Sequence, residues 1–357
     1  MRTLLALAAA LAAADDEEQR AHVVVAASAS HALGVVACVS SVFATAATPE
    51  RVTAHVVVEA RDEAVFAAAL GCAVPGRDAR VAALGEAAAQ KAAALVAVRH
   101  PRKRYLANPL NYARFYLSDV LPKGVAKVIW LDSDCVALAD VGALYASALR
   151  GSSLTDPAVA AAPRRRPVCG THFLNCSSAA ALRRLRDSRV DVGALDAFNA
   201  GVAVVRLDRW AAQGLTKEVE AWVALNRLTP VFALGSNPPL VLATGGRFEP
   251  LHPSWNCQVG GGHDCRANAS VLHWSGERKP WWGSGLNAAA GARDAHAAAL
   301  REKDERIARL EKVKMTTAIL AKFQALRVEK DRFRDEARNL RERLAAAEEA
   351  GGGGDAA

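Results

Sequence analysis

None of the seven cysteines stands at CxxC spacing to another, so a structural zinc site is not expected. No GxGxxG run follows the first strand-like segment. The stretch SASHALG, Ser28 to Gly34, lacks that spacing, which argues against a nicotinamide or flavin site there. Long hydrophobic runs are missing as well. The first apolar run, Leu4 to Ala14, holds eleven residues, short of the roughly 20 that a membrane-spanning helix needs. Polar or charged residues interrupt every later run.

What is present begins with that N-terminus. MRTLLALAAALAAADDEE puts one Arg before the apolar run, small residues at Ala12 and Ala14, then acid from Asp15. This is the layout of a cleavable secretory signal over residues 1–14. Two sequons, Asn175-Cys176-Ser177 and Asn268-Ala269-Ser270, fit the same compartment. Cys169, Cys176, Cys257 and Cys265 lie in loop-like sequence and could pair, with the connectivity left open. Cys38 and Cys135 sit in apolar runs and read as buried thiols. The net charge is +8, with basic clusters at Arg102-Lys103-Arg104, Arg164-Arg165-Arg166, and Arg183-Arg184 with Arg186. Nucleic acid is one candidate partner for such charge. A nucleotide-sugar diphosphate or an acidic glycan is another. Beside a secretory signal the second is better placed, and nucleic acid is not expected.

The chain is organised around KVIWLDSDCVALADVGALY, Lys127 to Tyr145. The run Val128 to Leu131 reads as a strand buried on both faces, and it leads straight into Asp132-Ser133-Asp134. Ligands of open α/β sheets sit outside the carboxyl ends of strands. Two carboxylates there are hard oxygen ligands suited to Mg²⁺ or Mn²⁺, and such an ion would hold a diphosphate.

Around that stretch, strands are predicted at His22–Ala27, Val52–Val58 and Leu95–Val98, with helices at His31–Ala47 and Asp62–Leu70 between them. The alternation predicts a parallel, doubly wound sheet. NPLNYARFYLSDVLP, Asn108 to Pro122, reads as the crossover helix into the DSD strand. Arg114 inside it is either snorkelling or aimed at an anion. Residues 151–192 read as a long loop with a short helix at Ala179–Arg186. FNAGVAVVRLDRW puts Asn199 and Gly201 just before a strand at Val202–Leu207, where amides suit sugar hydroxyls. A helix follows at Leu215–Asn226. VLHWSGERKPWW ends a short strand at His273, with Lys279 six residues on.

From Ala288 the composition changes. Leu300 to Leu344 is charged, with Ile319, Leu326, Phe333 and Leu340 recurring every seven residues, and Phe323, Ala337 and Leu344 filling the complementary seam. This is a short coiled-coil pattern, with Lys330 as its polar exception, and a candidate homodimer contact. The expected layout is a signal at 1–14, a catalytic domain at 15–290, a helical segment at 291–350 and a Gly-rich tail at 351–357.

WLDSDCVALADV, FNAGVAVVRLDRW and VLHWSGERKPW, in that order, resemble glycosyltransferase family 8. NPLNYARFYLSDVLP, LGSNPPLVL and HPSWNCQVGGG bring the likeness towards the galacturonosyltransferase-like branch. The resemblance covers roughly His22 to Trp282. It implies a GT-A fold, a Rossmann-like α/β sheet that binds a UDP-sugar, and a divalent metal, Mn²⁺ with Mg²⁺ as the alternative. It implies transfer with retention to a glycan or glycoprotein acceptor, in the secretory lumen and most simply the Golgi. Carried over by residue, Asp132, Asp134 and His273 are the metal ligands. Ala26, Ala27 and Ser28 lie along the uridine. Arg114 reaches the sugar or phosphate, Lys279 contacts the diphosphate, and Gly276 allows close backbone approach. Ser133 joins Asp132 among the donor contacts, and Asn199 and Gly201 line the donor sugar.

Two departures stand out. LGSNPPL carries no Asp, Glu or Gln where many bacterial members have an acidic, glutamine-containing stretch. Asn237 is the nearest polar stand-in, so Asn237 and Asn199 are the catalytic candidates. The SASH loop also lacks an Asp or Asn near uridine. Two other readings compete with the enzyme: an inactive scaffold acting through the coiled coil, and a self-glycosylating protein. The first has no need of intact Asp132, Asp134, His273 and Lys279. The second needs an acceptor tyrosine, and of the four present, three fall in or beside one motif helix.

Overall fold

The computed structural model describes residues 20–96, 106–164, 167–170, 173–233, 235–259, 265–277 and 279–281. The signal segment, the heptad seam and the Gly-rich tail lie outside the described residues. In chain order the elements are β1 (Ala21–Ala26), α1 (Ala32–Thr45), β2 (Val52–Val58), α2 (Glu63–Ala73), β3 (Ala79–Ala83), α3 (Glu86–Leu95) and α4 (Leu117–Val120). Then come β4 (Lys127–Leu131), β5 (Cys135–Ala137), α5 (Val141–Ser147), β6 (Val159–Pro163), α6 (Ala179–Asp187), β7 (Phe198–Arg206), α7 (Leu207–Ala212) and α8 (Leu215–Leu228). The last are α9 (Asn237–Ala243), β8 (Glu249–Pro250), β9 (Cys257–Gln258) and β10 (Val271–His273).

Seven strands form the main sheet in the order β3-β2-β1-β4-β7-β6-β8. AHVVVA and VTAHVVV are buried along their whole length, as central strands covered on both faces must be. The sheet is mixed rather than wholly parallel, because β7 runs antiparallel to both β4 and β6. That reversal brings the start of β7 to the same edge as the ends of β1, β4 and β6. A second sheet, β5-β10-β9, carries His273 to that edge. Among the described residues, no helix is long and apolar enough to cross a membrane.

Several elements differ from expectation. The third strand is Ala79–Ala83, and Leu95 ends a helix instead. ARVAA alternates half-buried and exposed residues and is mostly alanine, so no continuous apolar run marks it as a strand. In β6, VAAAP is buried up to its last residue, but three of its five residues are alanine, so it too lacks a strand signal. The Asn108 segment is a 3₁₀ stretch, Pro109–Phe115, followed by one short α turn, with the Asn108 side chain accepting from Leu110 N at 2.9 Å. Asn199 and Gly201 lie inside β7 rather than before it, opposite a register shift between Ala161 and Ala162. The four loop cysteines form Cys169–Cys176 and Cys257–Cys265, while Cys38 and Cys135 are buried free thiols.

Candidate functional site

A cleft of about 500 Å³ opens where the ends of β1, β4 and β6 meet the start of β7. Ala26, Ala27, Ser28, Arg114, Asp132, Ser133, Asp134, Asn199, Asn237, His273, Gly276 and Lys279 all line it. Gly201 lies beneath His273. A Cβ at that position would stand 2.7 Å from His273 Nδ1 and 2.9 Å from Asn199 Oδ1, so the close packing requires glycine.

Asp132 leaves β4 with its backbone N–H donating to Gly201 O at 2.8 Å. Its Oδ1 accepts from Trp130 Nε1 at 2.8 Å and from Arg114 Nη2 at 2.7 Å. The Arg114 guanidinium also donates to Ala200 O at 2.9 Å and lies 4.6 Å over the Trp130 ring. The arginine is therefore aimed at an anion and does not snorkel. Asp134 is 6% exposed. Its Oδ2 accepts from the buried Lys279 ammonium, which also donates to Trp274 O at 3.0 Å. Burial alone would raise the Asp134 carboxyl. The His273 ring when it carries its second proton, and then Lys279, outweigh it and hold the carboxyl below its ordinary range.

The orientation of His273 follows from its neighbours. Asn256 Nδ2 donates to Asn199 O and to Asn199 Oδ1, both at 3.0 Å. The Asn256 amide oxygen therefore faces His273 Nδ1, at 2.8 Å, and Nδ1 carries the hydrogen. In the neutral ring, Nε2 then points its lone pair at Asp134 Oδ1, 3.3 Å away, and Asp132 Oδ2, 3.8 Å away. A cation stabilises an imidazole lone pair that faces an oxygen of each of two carboxylates, and the Asn256 bond is the kind of outer support that metal-bound histidines have.

Asp134, Cys135 and His273 also bring ligand atoms within 4.8 Å of one another. Cys135, however, donates its thiol to Gly201 O at 3.5 Å. Burial, then the charge of Asp134, push its pKa well up, so the thiol stays protonated. Asp132, whose side chain is 31% exposed, offers a better oxygen. Two carboxylates and an imidazole suit Mn²⁺, and Mg²⁺ less well.

The two candidate catalytic amides are engaged with the backbone. Asn199 Oδ1 accepts from Gly201 N at 2.9 Å, and Asn237 Oδ1 from Ala200 N at 3.1 Å. Neither Asn256 nor Trp130 carries a local sequence signal for its part in the site. HPSWN had marked the Asn256 stretch, but its part depends on tertiary hydrogen bonding that no local pattern encodes.

A mixed, parallel-rich sheet with this acidic strand end has the architecture of GT-A glycosyltransferases. Two solved structures show that fold. The galactosyltransferase LgtC, in complex with donor and acceptor sugar analogues, is 19% identical, with 76% of this chain and 95% of that one covered at a TM-score of 0.52. Mouse xyloside xylosyltransferase 1 is 16% identical, with 72% and 98% covered at a TM-score of 0.51. The chain belongs to glycosyl transferase family 8, whose family model matches residues 22–284. It is related to the galacturonosyltransferases. Probable galacturonosyltransferase-like 3 of Arabidopsis thaliana is 35% identical over 193 residues, which is 50% of this chain and 52% of the relative. Probable galacturonosyltransferase-like 10 of the same plant is 30% identical over 259 residues, covering 70% and 67%. The chain spans about half the length of the first of these relatives and about two thirds of the second.

Proposed function

We propose that this chain transfers a hexuronate, galacturonate in the first instance, from a UDP-sugar to a glycan acceptor, with a divalent metal and with retention of configuration. The placing of His273 Nε2 beside both Asp134 Oδ1 and Asp132 Oδ2 at the strand-end cleft carries the reading. These residues would hold Mn²⁺, or Mg²⁺ in its place. The ion would supply positive charge against the diphosphate as it leaves.

The chain's own groups do the rest. Lys279, buried beside Asp134, adds a second cation for the departing diphosphate. Arg114 fixes Asp132 and presents charge to phosphate or sugar. Ala26, Ala27 and Ser28 bound the uridine side, while Ser133 and Gly276 let the donor approach the backbone. Among the described residues lining the cleft, Asp132 and Asp134 are the only carboxylates. With both committed to the cation, no other described residue lining the cleft offers a carboxylate for a covalent glycosyl intermediate. This favours attack by the acceptor hydroxyl on the leaving-group face, with Asn199 and Asn237 placing the sugar. The N-terminal pattern and the two disulfides support a secretory-lumen site of action, most simply the Golgi.

A UDP-release screen across UDP-sugars, with Mn²⁺ and with chelator, tests the reading. Mn²⁺-dependent release, lost in Asp132→Asn, is the expected result. Release that chelation leaves untouched would remove the metal assignment.

A further inference from the structure

We propose that Trp281 is a positioning residue for Lys279, and that Gly34 is the socket in which it seats. The inference rests on the glycosyltransferase reading above, in which Lys279 meets the diphosphate, and adds the two residues that hold that lysine in place.

Gly34 belongs to no dinucleotide fingerprint, yet it stands buried as the third residue of α1. Glycine is a poorer helix former than alanine, so its place there calls for another reason. Packing supplies one. A Cβ on Gly34 would overlap Ser133 O and the Cη2 end of the Trp281 ring, and stand 2.8 Å from Trp281 Cζ2. His31, three residues earlier, meets the same ring edge-on at 6.0 Å between centroids. Residues three apart share a helix face. Gly34 is thus where α1, the Ser133 carbonyl and the Trp281 indole come together.

The segment that carries Trp281 touches Asp134 twice. It leaves β10 with Trp274 N donating to Asp134 O at 3.0 Å. It turns through Gly276, whose φ of +114° favours glycine. It returns at Lys279, whose ammonium donates to Asp134 Oδ2 and, at 3.0 Å, to Trp274 O. Ser275 and Glu277 in the turn are exposed, whereas Lys279 and Pro280 are buried. The turn faces solvent, and beyond Lys279 the chain is pinned by Trp281 on Gly34. That pin matters for a lysine, whose ammonium rides on a flexible four-carbon stem. A cation serves a departing diphosphate best when it is placed beforehand, and a fixed backbone leaves only the side chain to be ordered.

The test is a double-mutant cycle read by calorimetric binding of UDP at saturating Mn²⁺. The proteins are the wild type, Lys279→Met, Trp281→Ala, the double variant, Trp281→Phe and Gly34→Ala. Thermal unfolding and Mn²⁺ affinity without UDP are measured for each. Lys279→Met should lower UDP affinity about 10- to 10²-fold, as loss of a hydrogen bond from a charged group does. Trp281→Ala should lose most of the same factor. The double variant should bind no more weakly than Lys279→Met, because a residue that acts through another adds nothing once the other is gone. Trp281→Phe should recover part of the affinity, and Gly34→Ala should lose affinity although alanine suits a helix better. Losses that multiply in the double variant overturn the proposal. So does wild-type UDP affinity in a folded Trp281→Ala or Gly34→Ala protein. A Trp281→Ala loss confined to Mn²⁺ binding also overturns it, since the effect would then fall on Asp132-Ser133-Asp134. Should Trp281→Ala fail to fold, Gly34→Ala in the same cycle decides. Unchanged UDP binding by Lys279→Met overturns the proposal and leaves the metal ligands standing, whereas a wild type that binds no UDP overturns both readings.

Discussion

Gly201→Ala tests the geometry of the site most directly. The added methyl would stand 2.7 Å from His273 Nδ1 and overlap the adjacent ring carbon. Ordinary carbon–nitrogen contact is well beyond that, so one partner must retreat by roughly 1 Å. Neither side yields easily. Gly201 O accepts from Asp132 N at 2.8 Å and Gly201 N donates to Asn199 Oδ1 at 2.9 Å. His273 sits on β10, paired on one side with β5 and on the other with β9. The imidazole must therefore turn, losing its 2.8 Å bond to Asn256 and its aim at Asp134. Losing this kind of outer support costs about 10–100-fold in metal affinity, and overpacking costs about 1–3 kcal/mol of stability. A displacement near 1 Å removes roughly 10²-fold of turnover even at saturating metal. Mn²⁺ calorimetry, donor turnover against Mn²⁺ concentration and urea unfolding measure the three effects. Gly71→Ala is the control. That glycine lies in α2 with open space at its Cβ position, so the change should stabilise by about 0.4–1 kcal/mol. A folded Gly201→Ala protein with unchanged Mn²⁺ affinity would refute the placement of His273 at the metal.

Four further outcomes are expected. Asp134→Asn should fold yet lose at least about 10²-fold of metal-dependent turnover, and unchanged kinetics would remove Asp134 from the site. His55 is buried, with Nε2 at 3.0 Å from His22 Nδ1, and burial first, then His22, lower its pKa from 6.5 to about 4. The unfolded chain takes up a proton below pH 6.5 that the folded chain refuses down to about pH 4, so stability is full above that window and falls by about 3 kcal/mol across it. Urea midpoints at pH 7 and pH 4.5 should show the drop and His55→Asn should flatten it. A protein made in a secretory host should lose residues up to Ala14 and carry glycan at Asn268 or Asn175, read by N-terminal sequencing and a glycosidase gel shift; an intact Met1 with no shift counts against the lumenal reading. The full chain should sediment as a dimer and a truncation at Ala288 as an active monomer, and a monomer in both cases removes the heptad contact.

Much of this was legible because it was written in residue types that have one use. Valine runs marked β1 and β2, the apolar run Val128 to Leu131 marked β4, and Asp132-Ser133-Asp134 after it marked a sheet edge. His273 and Lys279 were legible as motif residues. Alanine concealed the rest. In β3 and β6 its local preference is helical, and pairing with β2 and β7 overrides it. Strand direction left no trace either. Nothing local to FNAGVAVVR says that it runs against its neighbours, yet that reversal delivers Asn199 and Gly201 to the cleft. Asn256 was invisible for a related reason. Its effect on His273 exists only once strands far apart in the chain have met.

The two disulfides have a consequence of their own. They close segments with separations of only 7 and 8 residues, and loops that short each contribute about 2.5 kcal/mol on the chain-entropy account. The main sheet does not depend on them. Yet one encloses Phe173, and the other ends at Cys265, which itself lines the cleft. The two pairings thus bear on the wall of the cleft, through Phe173 and Cys265. A chain left reduced would keep its scaffold and lack finished walls.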